Sequence, residues 1–215
     1  MRNIYLFSTS THPDALSINS LDITLFKPEV NFSHYDYLII TSKQALNALK
    51  QYDSQEYHHT KSLCISSATA KLAQELKISL LEVGEGYGDT LVDIIQKYPK
   101  KTKWLYLRAQ VIASDFAQVC RDKGYNINEQ IVYKSECATI LTKITPKDDS
   151  ILIFTSPSAV KCFLNHHNFT KEHSIIVIGK TTAKSLPEGV SFTISPQSTI
   201  VSCIHLANTQ ADILN

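Results

Sequence analysis

Four clusters of hydroxyl residues carry the chemistry this sequence can be expected to do: Thr41-Ser42, Ser66-Ser67 with Thr69, Thr155-Ser156 with Ser158, and Lys180 followed by Thr181-Thr182. Each follows a short apolar run and precedes a stretch of helical periodicity, so each sits where a strand hands over to a helix. At that place a helix presents backbone N–H groups without intrahelical partners. With neighbouring hydroxyls, these bind carboxylates or phosphates without a cationic side chain. Ser and Thr are also preferred helix N-caps, and for any single position capping is a sufficient account. Capping alone does not explain why the whole set occurs twice, two clusters in each half of the chain. Arg108, at the end of the apolar run WLYLR, has two readings, a carboxylate contact or a surface ion pair. Tyr133, in QIVYKS, either packs its phenol where the chain leaves a domain or turns it toward a ligand.

Other motifs lead elsewhere. GEGYG at 84–88 lacks GxGxxG spacing and follows the third strand of its domain, so it reads as a mobile loop, and there is no GxxxxGK[ST] phosphate loop. His58-His59 and His166-His167 are adjacent pairs whose rings point apart on any regular element, so they read as solvated loop positions rather than metal ligands. Cys64, Cys120, Cys137, Cys162 and Cys203 are odd in number and lack CxxC spacing. They are expected as buried free thiols, without disulfides or a metal site. Lys plus Arg number 21 against 20 for Asp plus Glu, so there is no basic field of the kind nonspecific nucleic-acid binders use. An anionic ligand must be held locally. The N-terminus has only a short apolar piece, and no run approaches the ~18 apolar residues of a membrane span. A cytoplasmic protein with no membrane partner is expected.

The elements that must position these residues form a repeating pattern. From Tyr35, strand and helix alternate: YDYLIITS into QALNALKQY, SLCISS into ATAKLAQELK, ISLLEV into DTLVDIIQKY, WLYLR into SDFAQVCRDKG, then NINEQIVYKS. Apolar strands of four to six residues between amphipathic helices indicate a parallel sheet covered on both faces. Gly124 after Arg121 to Lys123 reads as a helix C-cap. The pattern is then repeated. At an offset of 114, Leu38, Ile39, Thr41, Ser42 and Ala45 match Leu152, Ile153, Thr155, Ser156 and Ala159. Downstream, Thr69-Ala70-Lys71 corresponds to Thr182-Ala183-Lys184, ISLLEV at 78–83 to VSFTIS at 190–195, and Thr90 to Thr199. A period this long means two similar domains, since solenoid units are far shorter.

The second copy stops before its last strand-helix-strand unit, which IYLFS and DITLF at the front of the chain can supply. The expected fold is therefore α/β, with two similar doubly wound parallel-sheet domains, one of them discontinuous. Residues 1–28 plus 140–215 would make the discontinuous domain, with 35–132 inserted. The linkers, near 29–34 and 133–139, would run side by side as a hinge, and Lys27-Pro28-Glu29 marks the first crossing. If the domains face each other, hydroxyl-rich helix N-termini from both would line one cleft.

DYLIITSKQAL, WLYLR, QIVYKS, LIFTSPSAV, VIGKTTAKSL and SPQSTIVSCI, in that order and spacing, resemble the uroporphyrinogen-III synthase family over almost the full length. The resemblance implies two α/β domains joined by a two-stranded ladder. It also implies a lyase that closes hydroxymethylbilane with loss of water and inversion of ring D, in tetrapyrrole (haem) biosynthesis. No metal or organic cofactor is implied. Tyr133 matches the family tyrosine proposed to assist hydroxyl departure. Thr69 and Thr181 match substrate-contacting threonines, and Ser156 and Ser158 match substrate-lining serines. Thr41, Ser42, Ser67, Arg108, Thr155, Lys180 and Thr182 complete the expected binding set. A monomer is expected, with transient hand-over of substrate from the preceding pathway enzyme. Two departures stand out. Phe7-Ser8-Thr9 replaces the usual Thr-Arg-Pro, and Ala109 to Ala113 replace the glycine and second arginine that often follow WLYLR. Two other readings remain: a non-enzymatic hinge module binding a small sugar or polyanion, which would explain the duplication equally well, and a nucleotide-dependent transferase, which lacks its phosphate loop.

Overall fold

A computed structural model of the chain describes residues 2–213. In chain order the elements are β1 (Ile4–Phe7), β2 (Leu16–Ile18), β3 (Leu21–Leu25), β4 (Tyr37–Ile40), α1 (Lys43–Leu49), α2 (Ser54–Tyr57), β5 (Lys61–Cys64), α3 (Ser67–Glu75), β6 (Leu80–Val83) and α4 (Gly88–Ile95). There follow β7 (Lys103–Ala109), α5 (Phe116–Asp122), β8 (Asn126–Cys137), β9 (Ile151–Phe154), α6 (Pro157–Leu164), β10 (Ser174–Val177), α7 (Lys180–Ala183), β11 (Thr193–Ile194) and α8 (Ile200–Ile213). The chain forms two compact units, one of residues up to Asp22 and from Glu136 onward, the other of Ile23–Ser135. The passages between them fall inside β3 and β8, two strands that neighbour each other in one sheet. The sequence reading put the first crossing later, at Lys27 to Glu29; the apolar alternation of β3 runs straight through the division instead.

The inserted unit holds a six-stranded sheet in the order β3-β8-β7-β4-β5-β6. From β8 to β6 its neighbours pair in parallel, Tyr37 lying opposite Lys61 on one side and Trp104 on the other. Its central strand is apolar throughout because both faces are covered. Leu38 and Ile40 pack with Ala45, Leu46, Leu49 and Ala73 from α1 and α3, while Ile39 packs with Leu91, Ile95 and Phe116 from α4 and α5. The discontinuous unit repeats this arrangement in a five-stranded parallel sheet, β11-β10-β9-β1-β2. Phe7, Leu152 and Phe154 meet Val160 and Phe163 of α6, and Leu6, Ile151 and Ile153 meet Cys203 and Ile204 of α8.

The duplication therefore extends to strand order: β9, β10 and β11 stand as β4, β5 and β6 do, and β1 stands as β7 does. The strand beside β1 needs a correction. Asp22 to Phe26 was expected there, but Leu16–Ile18 takes the place and Leu21–Leu25 joins the other sheet next to β8. Three residues in a polar stretch give no period to read. β3 alternates between half-buried and exposed residues, the pattern of an edge strand with one face on the core.

The cysteine reading is corrected at two positions. Cys137, the last residue of β8, and Cys162 of α6 form a disulfide, while Cys64, Cys120 and Cys203 are buried free thiols. A separation of 25 residues carries no signal of that pairing. β8 ends against the apolar cluster that α6 completes, and this brings the two sulfurs together.

Gly124 closes α5 as expected. Its φ is +86°, and the amides of Gly124 and Tyr125 donate to the carbonyls of Arg121 and Cys120 at 2.8 and 3.0 Å, a Schellman closure. An L side chain is strained there, and a Cβ would come within 3.4 Å of the Lys100 ammonium. Gly124→Ala should destabilise the protein by about 1 kcal/mol, read as a lower urea midpoint with unchanged slope.

Candidate functional site

The candidate residues fall in two groups, one at the carboxyl edge of each sheet. In the inserted unit, Ser42 is extended at φ −154°, ψ 146° and caps α1, its Oγ accepting from Gln44 N at 3.0 Å. Thr41 Oγ1 lies 3.1 Å from the hydroxyl of Tyr106 on β7. Ser66 caps α3, and its Oγ lies 3.2 Å from Thr69 Oγ1. Ser67, the first residue of that helix, is exposed, whereas Thr69 in the same turn is buried.

Tyr133 is aimed by an irregularity in β8. Arg108 lies opposite Ile131, but Ala109 lies opposite Tyr133, so Val132 is the extra residue of a bulge. Val132 and Tyr133 consequently share one apolar cluster, although neighbours on a regular strand face opposite ways. The Tyr133 carbonyl accepts from Gln110 N at 2.8 Å, which holds the bulge. Its side chain is only 7% exposed. Burial pushes the phenol's pKa up, and the nearby Ser42 side chain partly opposes this. Consecutive residues of one junction thus each meet a phenol, Thr41 that of Tyr106 and Ser42 that of Tyr133. Burial also pushes Tyr106 up; Thr41 opposes it, and nearby Tyr133 and Glu129 add to it.

Arg108 resolves into an ion pair. Its Nε donates to Glu129 at 3.0 Å, and its Nη1 donates to the carbonyls of Ala109 and Gln110 at 2.8 and 3.2 Å. Glu129 also meets Arg121 at 3.2 Å, and the three side chains are largely shielded from water. The network fixes the turn after β7, on which the Tyr133 bulge depends. The GEGYG segment leads into α4, where Gly88 is the first helical residue; a Cβ there would overlap the Ser114 side chain, so the glycine permits close loop packing.

In the discontinuous unit, Thr155 Oγ1 donates to the Phe7 carbonyl at 3.3 Å. Ser156 caps α6, accepting from Ala159 N at 3.1 Å, with Pro157 next and Ser158 exposed beside a groove that Lys161, Asn165 and Ser185 also line. Helix α7 differs. Its cap is Gly179, which offers no side-chain oxygen, so the first turn presents its amides without a capping hydroxyl. Lys180 and Thr181 are exposed on that turn, and Thr182 is buried. By position Thr69 and Thr182 are equivalent, each the third helical residue after its cap, whereas Thr181 corresponds to Ala68.

Three of the hydroxyls, Ser42, Ser66 and Ser156, are thus helix caps, and Ser67, Ser158 and Thr181 are the exposed ones. Sequence reasoning missed Tyr106 and Glu129. A signal for Tyr106 existed: Ile39 lies opposite it, and Thr41 shares the face of Ile39 two residues on. Nothing in the sequence ties Glu129 to two arginines.

A sequence model described as uroporphyrinogen-III synthase HemD matches residues 17–205, most of the chain. The chain belongs to the uroporphyrinogen-III synthase family. As a member it is an enzyme, a cyclising lyase of tetrapyrrole biosynthesis. Two solved structures share the synthase fold. Uroporphyrinogen-III synthetase from Helicobacter pylori is 24% identical with a TM-score of 0.82, over 98% of this chain and 100% of that one. A mutant uroporphyrinogen III synthase from the extremely thermophilic bacterium Thermus thermophilus is 11% identical with a TM-score of 0.64, over 100% of both chains. No curated protein matches the chain. Among the described residues, no helix of this synthase-family chain is long and apolar enough to cross a membrane. Nor does any group of three or more His, Cys, Asp or Glu among them fit a metal ion.

The burial of Tyr133 has a spectroscopic consequence. Titrated by its ultraviolet phenolate band, Tyr133 should ionise above the ~10 of an ordinary tyrosine, as the difference between wild type and Tyr133→Phe will show.

Proposed function

We propose that the protein converts hydroxymethylbilane into uroporphyrinogen III, with Tyr133 as the proton donor to the departing hydroxyl and the hydroxyl-rich edges of both units as carboxylate-binding surfaces. The observation that carries this reading is the Tyr133 phenol. It is placed at a sheet's carboxyl edge by a bulge and kept protonated by burial, with the Ser42 side chain nearby, in a chain of the synthase family. The bilane's terminal C–O bond breaks as the oxygen takes the phenol's proton and leaves as water. The substituted carbon of ring D attacks the cation that remains, giving a spiro intermediate. That intermediate opens and recloses with ring D inverted, and the proton lost from the ring restores the phenol.

Without an enzyme the bilane closes without inversion, to the type I isomer, so catalysis here is chiefly positioning of a flexible chain bearing eight carboxylates. Helix N-terminal amides hold anions without net positive charge, which suits a chain whose formal charge is +1. The uncapped first turn of α7, with Lys180, Thr181 and Thr182, and the exposed Ser67 and Ser158 are the contacts we assign to carboxylates. Thr41, Ser42, Thr69, Thr155 and Ser156 set the junctions that present those amides. Arg108 serves through its ion pair with Glu129, and its remaining guanidinium nitrogen extends the surface. We further assign the protein to the cytoplasm as a monomer that receives its unstable substrate directly from the enzyme that makes it.

Mixing the protein with freshly made hydroxymethylbilane, oxidising the products and separating the isomers tests the reading: type III uroporphyrin is expected, and type I alone at the uncatalysed rate would reject it. A phenol is a modest acid near neutrality, so Tyr133→Phe should slow turnover by up to ~100-fold while still yielding type III; a wild-type rate would remove Tyr133 from the mechanism. Thr181→Val should raise KM about tenfold, the worth of one hydrogen bond to a charged group. Its thermal midpoint should match wild type.

A further inference from the structure

Two elements that carry proposed site residues are joined covalently. β8 carries Tyr133 and ends at Cys137; α6 is capped by Ser156, has Ser158 in its first turn and carries Cys162. Tyr133 and Cys137 lie four residues apart on one strand, about 13 Å at the usual rise, and the chain leaves the inserted unit between them, at Ser135. We infer that the Cys137–Cys162 disulfide is a redox site that sets the rate of the enzyme, opened and closed by exchange with a dithiol. The inference rests on the proposed synthase activity and cytoplasmic location. In reducing compartments, disulfides of mesophilic proteins are mostly transient, catalytic or redox-sensing.

The surroundings favour exchange at this pair. Cys162 is buried and Cys137 only partly so, with Asn165 Nδ2 3.5 Å from the Cys137 sulfur. Of the two residues only Cys137 keeps appreciable exposed surface, so attack by an incoming thiolate is assigned to its sulfur. Attack there forms a mixed disulfide and breaks the Cys137–Cys162 bond, its electron pair leaving on the Cys162 sulfur, which takes a proton. The second thiol of the reductant then displaces Cys137 as a thiol and closes a disulfide in the reductant. Two electrons and two protons pass to the protein. The remaining cysteines stand aside: Cys64, Cys120 and Cys203 are buried, and burial pushes their thiols up, Cys120 to about 11.

Reduction releases the end of β8 from α6, and with it one anchor of the strand that aims Tyr133. Where catalysis is positioning, a loosened anchor lowers turnover.

The test compares wild-type protein prepared without reductant, the same protein after dithiothreitol treatment under native conditions and removal of the reagent, and the reduced sample reoxidised with oxidised glutathione. Alkylation in denaturant followed by mass measurement should add three groups to the first, since three of the five cysteines are free, and five to the second. The rate of type III formation should fall at least about threefold on reduction and return on reoxidation, with Cys137→Ser fixed near the reduced rate. Five alkyl groups before reduction, a bond that opens only in denaturant, or equal type III rates in both states would each overturn the switch. No type III in any state would overturn the synthase reading together with it. Because the wild-type cycle needs no variant, the result stands even if Cys137→Ser does not fold.

Discussion

Parallel pairing is the constraint on which the rest depends. β4 lies between β5 and β7 in parallel register, as β9 lies between β1 and β10, and a parallel neighbour is reached only by crossing back over a face of the sheet. The returning helices cover both faces, so the central strands are apolar at every position. The same geometry collects the helix starts at one edge. Hydroxyls gather there because each helix start needs a partner for its first amides, and the need recurs at every junction. The anion-binding surface we propose is a by-product of the way such a sheet closes.

A tension runs through that edge. In the acid role we propose for it, Tyr133 must keep its proton near neutrality, which burial favours, and must also reach the ligand. The bulge at Val132 turns the phenol out of strict alternation while its carbonyl stays bonded to Gln110. The ion pairs among Arg108, Glu129 and Arg121 brace the neighbouring strand against this departure from regularity. Positive side chains beside Tyr133 would stabilise its phenolate and make the proton easier to lose in the resting state; Arg108 is already occupied by Glu129.

Much of this was legible in the sequence, for identifiable reasons. The duplication, the sheet type and the split of one domain rest on apolar runs and helical periods, which are local patterns repeated at a fixed offset. The hydroxyl junctions were legible because the first helical turn has known residue preferences. What stayed hidden depends on distant pairing. The short strand Leu16–Ile18 has too few residues to show a period, and its place beside β1 is set by the sheet. The disulfide joins the end of a strand to a helix whose approach is fixed only in the folded unit. Thr182 as the counterpart of Thr69 could be read from the repeat, whereas Thr181 stands where the other copy has Ala68, and both are exposed.

The split of the discontinuous unit also orders events in time. β1 leaves a ribosome well before its neighbour β9, which begins only at Ile151, after the whole of the inserted unit. At ordinary rates of synthesis that is a wait on the order of ten seconds, with the apolar segment Ile4 to Phe7 unpaired on the side that β9 will occupy. The inserted unit has all its strands in hand by Ser135 and can close first. A nascent chain of this protein therefore carries a finished domain and a stranded first strand at once, and that strand is the part a chaperone has reason to hold.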